Sequence, residues 1–227
     1  TPPELQLQFS GDGADPHSLE AVLRLTTSAF TSPWGSATNL SLLAWLRAAP
    51  VTNVPQRAGL TLKASHPSSP WGLARQLIVT ADWESSLEQL LPRQGTCDLD
   101  LQDLQSSWGS AEEARINARL IPGEGDAAEW RIAARAVQPQ TPWARARALE
   151  LNLQSSIPEA PTQAFPVRLA TELVDAQTSW GTSAWTRVEG TVGLPARQDL
   201  RVFQPALAWT DRWRGVETAL SGRFSNA

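Results

Sequence analysis

Asp98, Asp100 and Asp103, with His17, His66 and Cys97, are the side chains of this chain best suited to metal, acid–base or nucleophilic chemistry. Clustered carboxylates can hold calcium or act as an acid–base pair. Here Asp98 and Asp100 alternate with Leu99 and Leu101, which places them on the solvated side of a strand. His17 lies beside Asp15-Pro16 and His66 beside Pro67, both reading as loop positions with no Cys, Glu or second His at metal-ligand spacing. No nucleophile elbow and no glycine-rich phosphate loop occurs. Cys97 is the single cysteine, so it forms no internal disulfide, and it alternates with leucines as a small buried residue does. The chain reads as a non-enzyme with no metal and no cofactor.

Tryptophan is the residue type whose spacing carries a pattern. Trp34, Trp71, Trp108, Trp143, Trp180 and Trp213 follow one another at intervals of 37, 37, 35, 37 and 33 residues. Four stand in Trp-Gly pairs (Gly35, Gly72, Gly109, Gly181), after Ser/Thr-Pro or a pair of hydroxyl residues. A fixed period of this length marks a repeat architecture. Regularly spaced flat rings can stack on sugars, or pack as pegs at turns, each covering the next hairpin. The link of each Trp to a turn favours the packing role. Trp45, Trp83, Trp130, Trp185 and Trp209 follow no single offset and read as individual substitutions.

The elements that position these residues are strands. Six, eight and ten residues after each Trp come Leu40, Leu42, Ala44; Leu77, Val79, Ala81; Ala114, Ile116, Ala118; Leu149, Leu151, Leu153; and Thr186, Val188, Gly190. Such alternation puts them on one face of a strand. A second strand precedes each Trp, with Leu23 and Leu25, Leu60 and Leu62, Cys97, Leu99 and Leu101, Ile132 and Ala134, then Leu169 and Thr171. The apolar set has odd parity before Trp and even parity after it. The Ser/Thr-Pro-Trp-Gly step is therefore either a hairpin turn or a bulge that resets the faces. Proline-marked loops at Pro50, Pro92, Pro122, Pro158 and Pro195 close the other end of each unit. Ser86 to Leu91 has length for one helical turn, and Glu112 to Leu120 reads as strand. The sixth unit (Val216, Leu220) fits with its register shifted by one.

The predicted fold is all-β: an antiparallel meander of about six two-strand repeats, with eleven or twelve strands, curved into an elongated groove or open barrel. Residues 1–227 form a single repeat-built domain. A start at Thr1, the absence of Met and repeats already running by about residue 20 read as a segment of a longer chain. The net charge of −4 excludes nucleic acid as a main partner. No apolar run reaches the roughly 18 residues of a membrane helix. Arg outnumbers Lys 18 to 1, a bias of composition rather than of chemistry.

The combination of Ser/Thr-x-Trp-Gly-x-Ala with alternating Leu-x-Leu-x-Ala, over residues 20 to 224, resembles the AsmA-like and TamB-like bacterial envelope proteins. That resemblance implies a β-groove that conducts phospholipid acyl chains between membranes in envelope and outer-membrane biogenesis. It also implies a periplasmic setting and an inner-membrane anchor outside this segment. The candidate lipid-lining set is Leu23, Leu25, Leu40, Leu42, Leu60, Leu62, Leu77, Val79, Leu99, Leu101, Ile116, Leu149, Leu151, Leu153, Leu169 and Val188. Protein partners are not readable from the sequence.

The alternative is a Trp-rich scaffold, adhesin or carbohydrate-binding module in which the same residues form a closed core. A β-propeller needs four strands per blade, whereas two per unit are visible. A membrane barrel is disfavoured by the absence of Tyr and by Arg-rich outer positions.

Overall fold

The computed structural model describes residues 2–12, 14–49, 56–85, 94–122, 128–157, 165–194 and 218–219. They form one antiparallel sheet of fourteen strand segments and no helix. The segments are β1 (Glu4–Asp12), β2 (Asp15–Ser32), β3 (Gly35–Arg47), β4 (Gln56–Ser69), β5 (Gly72–Leu73), β6 (Gln76–Ser85) and β7 (Gln94–Ser106). β8 (Gly109–Pro122), β9 (Ala128–Val137), β10 (Ala144–Arg145), β11 (Ala148–Ile157), β12 (Phe165–Thr178), β13 (Gly181–Leu194) and β14 (Thr218–Ala219) complete the sheet. With β5 and β6 taken as two pieces of one arm, and β10 and β11 as two pieces of another, each arm pairs with its neighbours in sequence, so the sheet is the expected meander. β1 and β14 stand at its two ends and are not paired with each other, so the described sheet is open.

β1 lies ahead of the periodic units and was not anticipated. It pairs with β2 from Glu4↔Thr26 to Asp12↔Asp15. His17 lies in β2 and His66 in β4, so neither occupies the loop expected of it. Pro122 closes β8, and Glu112 to Leu120 is strand as read. Trp209, Trp213, Val216, Leu220, Ser86 to Leu91, Pro50, Pro92, Pro158 and Pro195 lie outside the described residues.

The Trp-Gly step is a turn. Ser32 pairs with Gly35 across Pro33-Trp34, Ser69 with Gly72, Ser106 with Gly109 and Thr178 with Gly181. Neither central residue has a positive φ at any tip. Ser at the first position, Pro at the second and Gly at the fourth are the preferences of a type I turn. A two-residue tip pairs the position nine before Trp with the position eight after it, as in Leu25↔Leu42. The parity switch follows from that pairing alone, without a bulge.

The glycine after Trp serves the next unit rather than the turn. A Cβ on Gly35 would overlap the carbonyl oxygen of Ser68; on Gly72, that of Gln105; on Gly109, that of Gln140. Each carbonyl belongs to the following hairpin. Gly181 meets nothing within 4 Å.

The strands also bend near the tips. His66, Asp103, Gln138 and Asp175, each five residues before a periodic Trp, take left-handed φ values of 48, 51, 49 and 51°. Asn39 does so at 47° on the other arm of its hairpin. Asn, Asp and His are the non-glycine types that tolerate this region best, which leaves Gln138 as the exception. Opposite the bend, β5 separates from β6 at Ala74-Arg75 and β10 from β11 at Ala146-Arg147. The backbone there remains bonded: Ala74 N–H to Pro67 O at 3.0 Å and His66 N–H to Arg75 O at 2.8 Å. Seventy-two residues on, Ala146 donates to Pro139 O at 3.0 Å and Gln138 to Arg147 O at 2.9 Å. The ion pairs Arg75–Asp103 (2.6 Å) and Arg147–Asp175 (2.9 Å) recur with the same offset. A two-unit repeat, x-Pro-x-Ser/Thr-Pro-Trp-x-x-Ala-Arg, is thus laid over the single-unit period.

Candidate functional site

In an antiparallel ladder, residues directly opposite share a face, so a register read across the sheet traces a row of side chains. One row runs Leu5, Leu25, Leu42, Leu62, Val79, Leu99, Ile116, Ala134, Leu151, Thr171 and Val188 without a break. Two residues along each strand, on the same face, lies a second row. It runs Leu7, Leu23, Ala44, Leu60, Ala81, Cys97, Ala118, Ile132, Leu153, Leu169 and Gly190. On the tip side a third row joins Ala64, Leu77, Leu101, Ala114, Ala136, Leu149, Leu173 and Thr186, with Leu40 placed on that side opposite Thr27.

All sixteen candidate lining residues therefore fall on one face, in three adjacent rows. Sequence reading missed Leu5 and Leu7, because β1 carries no Trp marker, and Leu173, which lies seven residues before Trp180.

No second layer covers this face among the described residues. Among the described residues the buried hydrophobic side chains are all alanines (Ala37, Ala58, Ala64, Ala74, Ala111), and no large side chain is fully buried. The lining leucines are half-buried by their own row neighbours, and Ile116 is exposed. At the open edge, Leu5, Leu7 and Phe9 are exposed. A closed core would have hidden large aliphatic groups first.

The opposite face is built of cross-strand polar pairs in its central and C-terminal parts. Arg115 bridges Asp100 at 3.0 Å, Arg187 bridges Glu172 at 3.1 Å, and Arg135 approaches Glu150 at 3.8 Å. Asn117 donates to Asp98. A shallow depression of about 430 Å³ lies over Asp98, Asp100, Arg115, Asn117, Arg135, Glu150 and Asn152. The three aspartates singled out in the sequence are thus engaged by Asn117, Arg115 and Arg75. Among the described residues, no group of three or more His, Cys, Asp or Glu is placed to hold a metal ion. Farther along, hydrogen bonds from Arg131 and then Gln154 hold the Glu129 carboxyl below the usual glutamate range, and Arg131 is raised in turn.

The five periodic tryptophans among the described residues are mostly exposed, where packing at the turns was expected. Trp34, Trp71, Trp108 and Trp143 are 61–74% exposed and Trp180 is 91% exposed. They stand at consecutive tips along one rim of the sheet. Their backbone is fixed by the preceding hydroxyl: Ser32, Ser69 and Ser106 each accept from the Trp N–H at 3.2 Å, Thr141 at 3.3 Å and Thr178 at 3.1 Å. The same hydroxyls donate to the carbonyl of the residue after Trp.

One of the non-periodic tryptophans has a local reason. The Trp45 ring lies against Gly59 on the neighbouring strand, where a Cβ would collide with it. A large ring filling the space beside a strand glycine restores the packing that glycine lacks. Trp45 also carries the Arg47 guanidinium 4.8 Å from its ring centroid.

No protein-family model, no curated protein and no solved structure matches this chain.

Proposed function

We propose that the aliphatic face of this sheet binds phospholipid acyl chains, and that the chain is a non-enzymatic lipid-conducting element of a bacterial cell envelope. The observation that supports this is the register from Leu5 to Val188, aliphatic at every position but Thr171, on a face that no described element covers. A sheet with one apolar face must bury it against something. Acyl chains suit a row of Leu, Ile, Val and Ala because dispersion and hydrophobic contact are non-directional and impose no sequence register. The paired charges on the other face keep that side solvated.

On this reading the setting is the periplasm, with an inner-membrane anchor outside the 227 residues, and the partners are lipids rather than nucleic acid. The test is native mass spectrometry with lipid extraction on protein expressed in bacteria without detergent. Co-purified phospholipid that is lost from a folded L42D/L151D variant is the expected result. A folded, lipid-free monomer would instead assign the chain to the scaffold or adhesin class.

A further inference from the structure

The tryptophan rim is not explained by the fold. A type I turn accepts most residues at its third position and has no need of a bulky ring there. Only a minor part of each of these tryptophans is hidden. The hydroxyl clamp and the Pro at three of the five tips nevertheless hold these rings on a rigid backbone.

Successive tips are two strands apart, about 9–10 Å per step and roughly 40 Å for the five. Within two positions of these tryptophans the residues are Ser, Thr, Pro, Gly, Ala and Leu73, and the sole charge is Arg145. A ligand that fits is uncharged, extended and periodic, and offers a flat C–H face at each step. The step is close to one disaccharide of an extended β-1,4-linked chain, whose hydroxyls stay in water while alternate ring faces stack on indole. A lipid bilayer fits less well. At the usual twist of about 20° per strand, successive tips turn by roughly 40°. A plane then touches one or two of them, whereas an extended chain that twists about its glycosidic bonds can follow the rim.

We propose that Trp34, Trp71, Trp108, Trp143 and Trp180 form a binding track for a neutral linear β-1,4-linked glycan, separate from the aliphatic face. The probes are cellobiose, cellohexaose and chitohexaose, titrated by calorimetry and tryptophan fluorescence against the whole chain. A hexaose reaches three tips and a disaccharide only one, so one hexaose or the other binds at least about tenfold more tightly than cellobiose. W108A/W143A loses at least about tenfold in hexaose affinity. W108Y/W143Y retains part of it, and the retained lipid is unchanged in both variants.

Circular dichroism establishes that the variants fold. Equal affinity for short and long sugars, no hexaose binding at millimolar concentration, or binding indifferent to W108A/W143A would each overturn the proposal. So would phosphatidylcholine vesicle binding that W108A/W143A abolishes in the absence of glycan binding, which would make the rim a membrane contact.

Discussion

A single hydroxyl holds each hairpin tip from both sides. Ser106 Oγ accepts from the N–H groups of Trp108 and Gly109, both at 3.2 Å, and donates to Gly109 O at 3.0 Å. Ser106→Ala removes all three and costs about 0.5–1.5 kcal/mol, measured as a lowered urea midpoint with an unchanged m value. Glu129 supplies a second residue-scale prediction. Its carboxyl is held below the ordinary glutamate pKa, so folding gains from its ionised form above the unfolded pKa and loses that gain as pH falls through the folded one. An NMR titration finds Glu129 below ordinary glutamates, and Arg131→Gln returns it upward. An unshifted value in the native protein would remove the Arg131 bond from the account.

At the scale of elements, much of the sheet was legible. Leucine alternation located the strands from β2 to β13, and the opposite parities before and after Trp follow from a two-residue tip. What was not legible has a common cause: it depends on what a neighbouring strand does. The overlap of a Gly109 Cβ with Gln140 O arises between units. So does the pairing of Arg75 with Asp103. The two-unit motif was present in the sequence at Pro67 and Pro139, but the shorter Trp period masked it. The inter-unit role of glycine gives a contrast test. Gly109→Ala forces the hairpins apart at a φ of 155° and costs about 1–3 kcal/mol. Gly181→Ala, with open space around it, stays within about 0.5 kcal/mol. Equal effects in thermal melts would contradict the packing role.

For the molecule as a whole, alternation alone left open whether the aliphatic face was sealed. The same leucine pattern builds a sandwich core, a barrel lining or an uncovered sheet, because period two records which face a residue is on and not what covers it. The exposure of the periodic tryptophans was hidden for the same reason: a turn position gives the ring's place along the chain, and only the neighbouring hairpin decides whether it is covered. Among the described residues, a single layer, half-buried leucines and a buried hydrophobic set made only of alanines mark an uncovered face.

The most direct test of that face is photocrosslinking with a phosphatidylcholine carrying a diazirine at the end of one acyl chain, with adducts mapped by mass spectrometry. Leu99 and Asp98 are adjacent in sequence but on opposite faces, so the mapping separates the sides. The account predicts adducts on row residues such as Leu42, Leu99 and Leu151, in both halves of the sheet. Adducts confined to the polar face or to the tryptophan rim, or none on a folded protein, would contradict it.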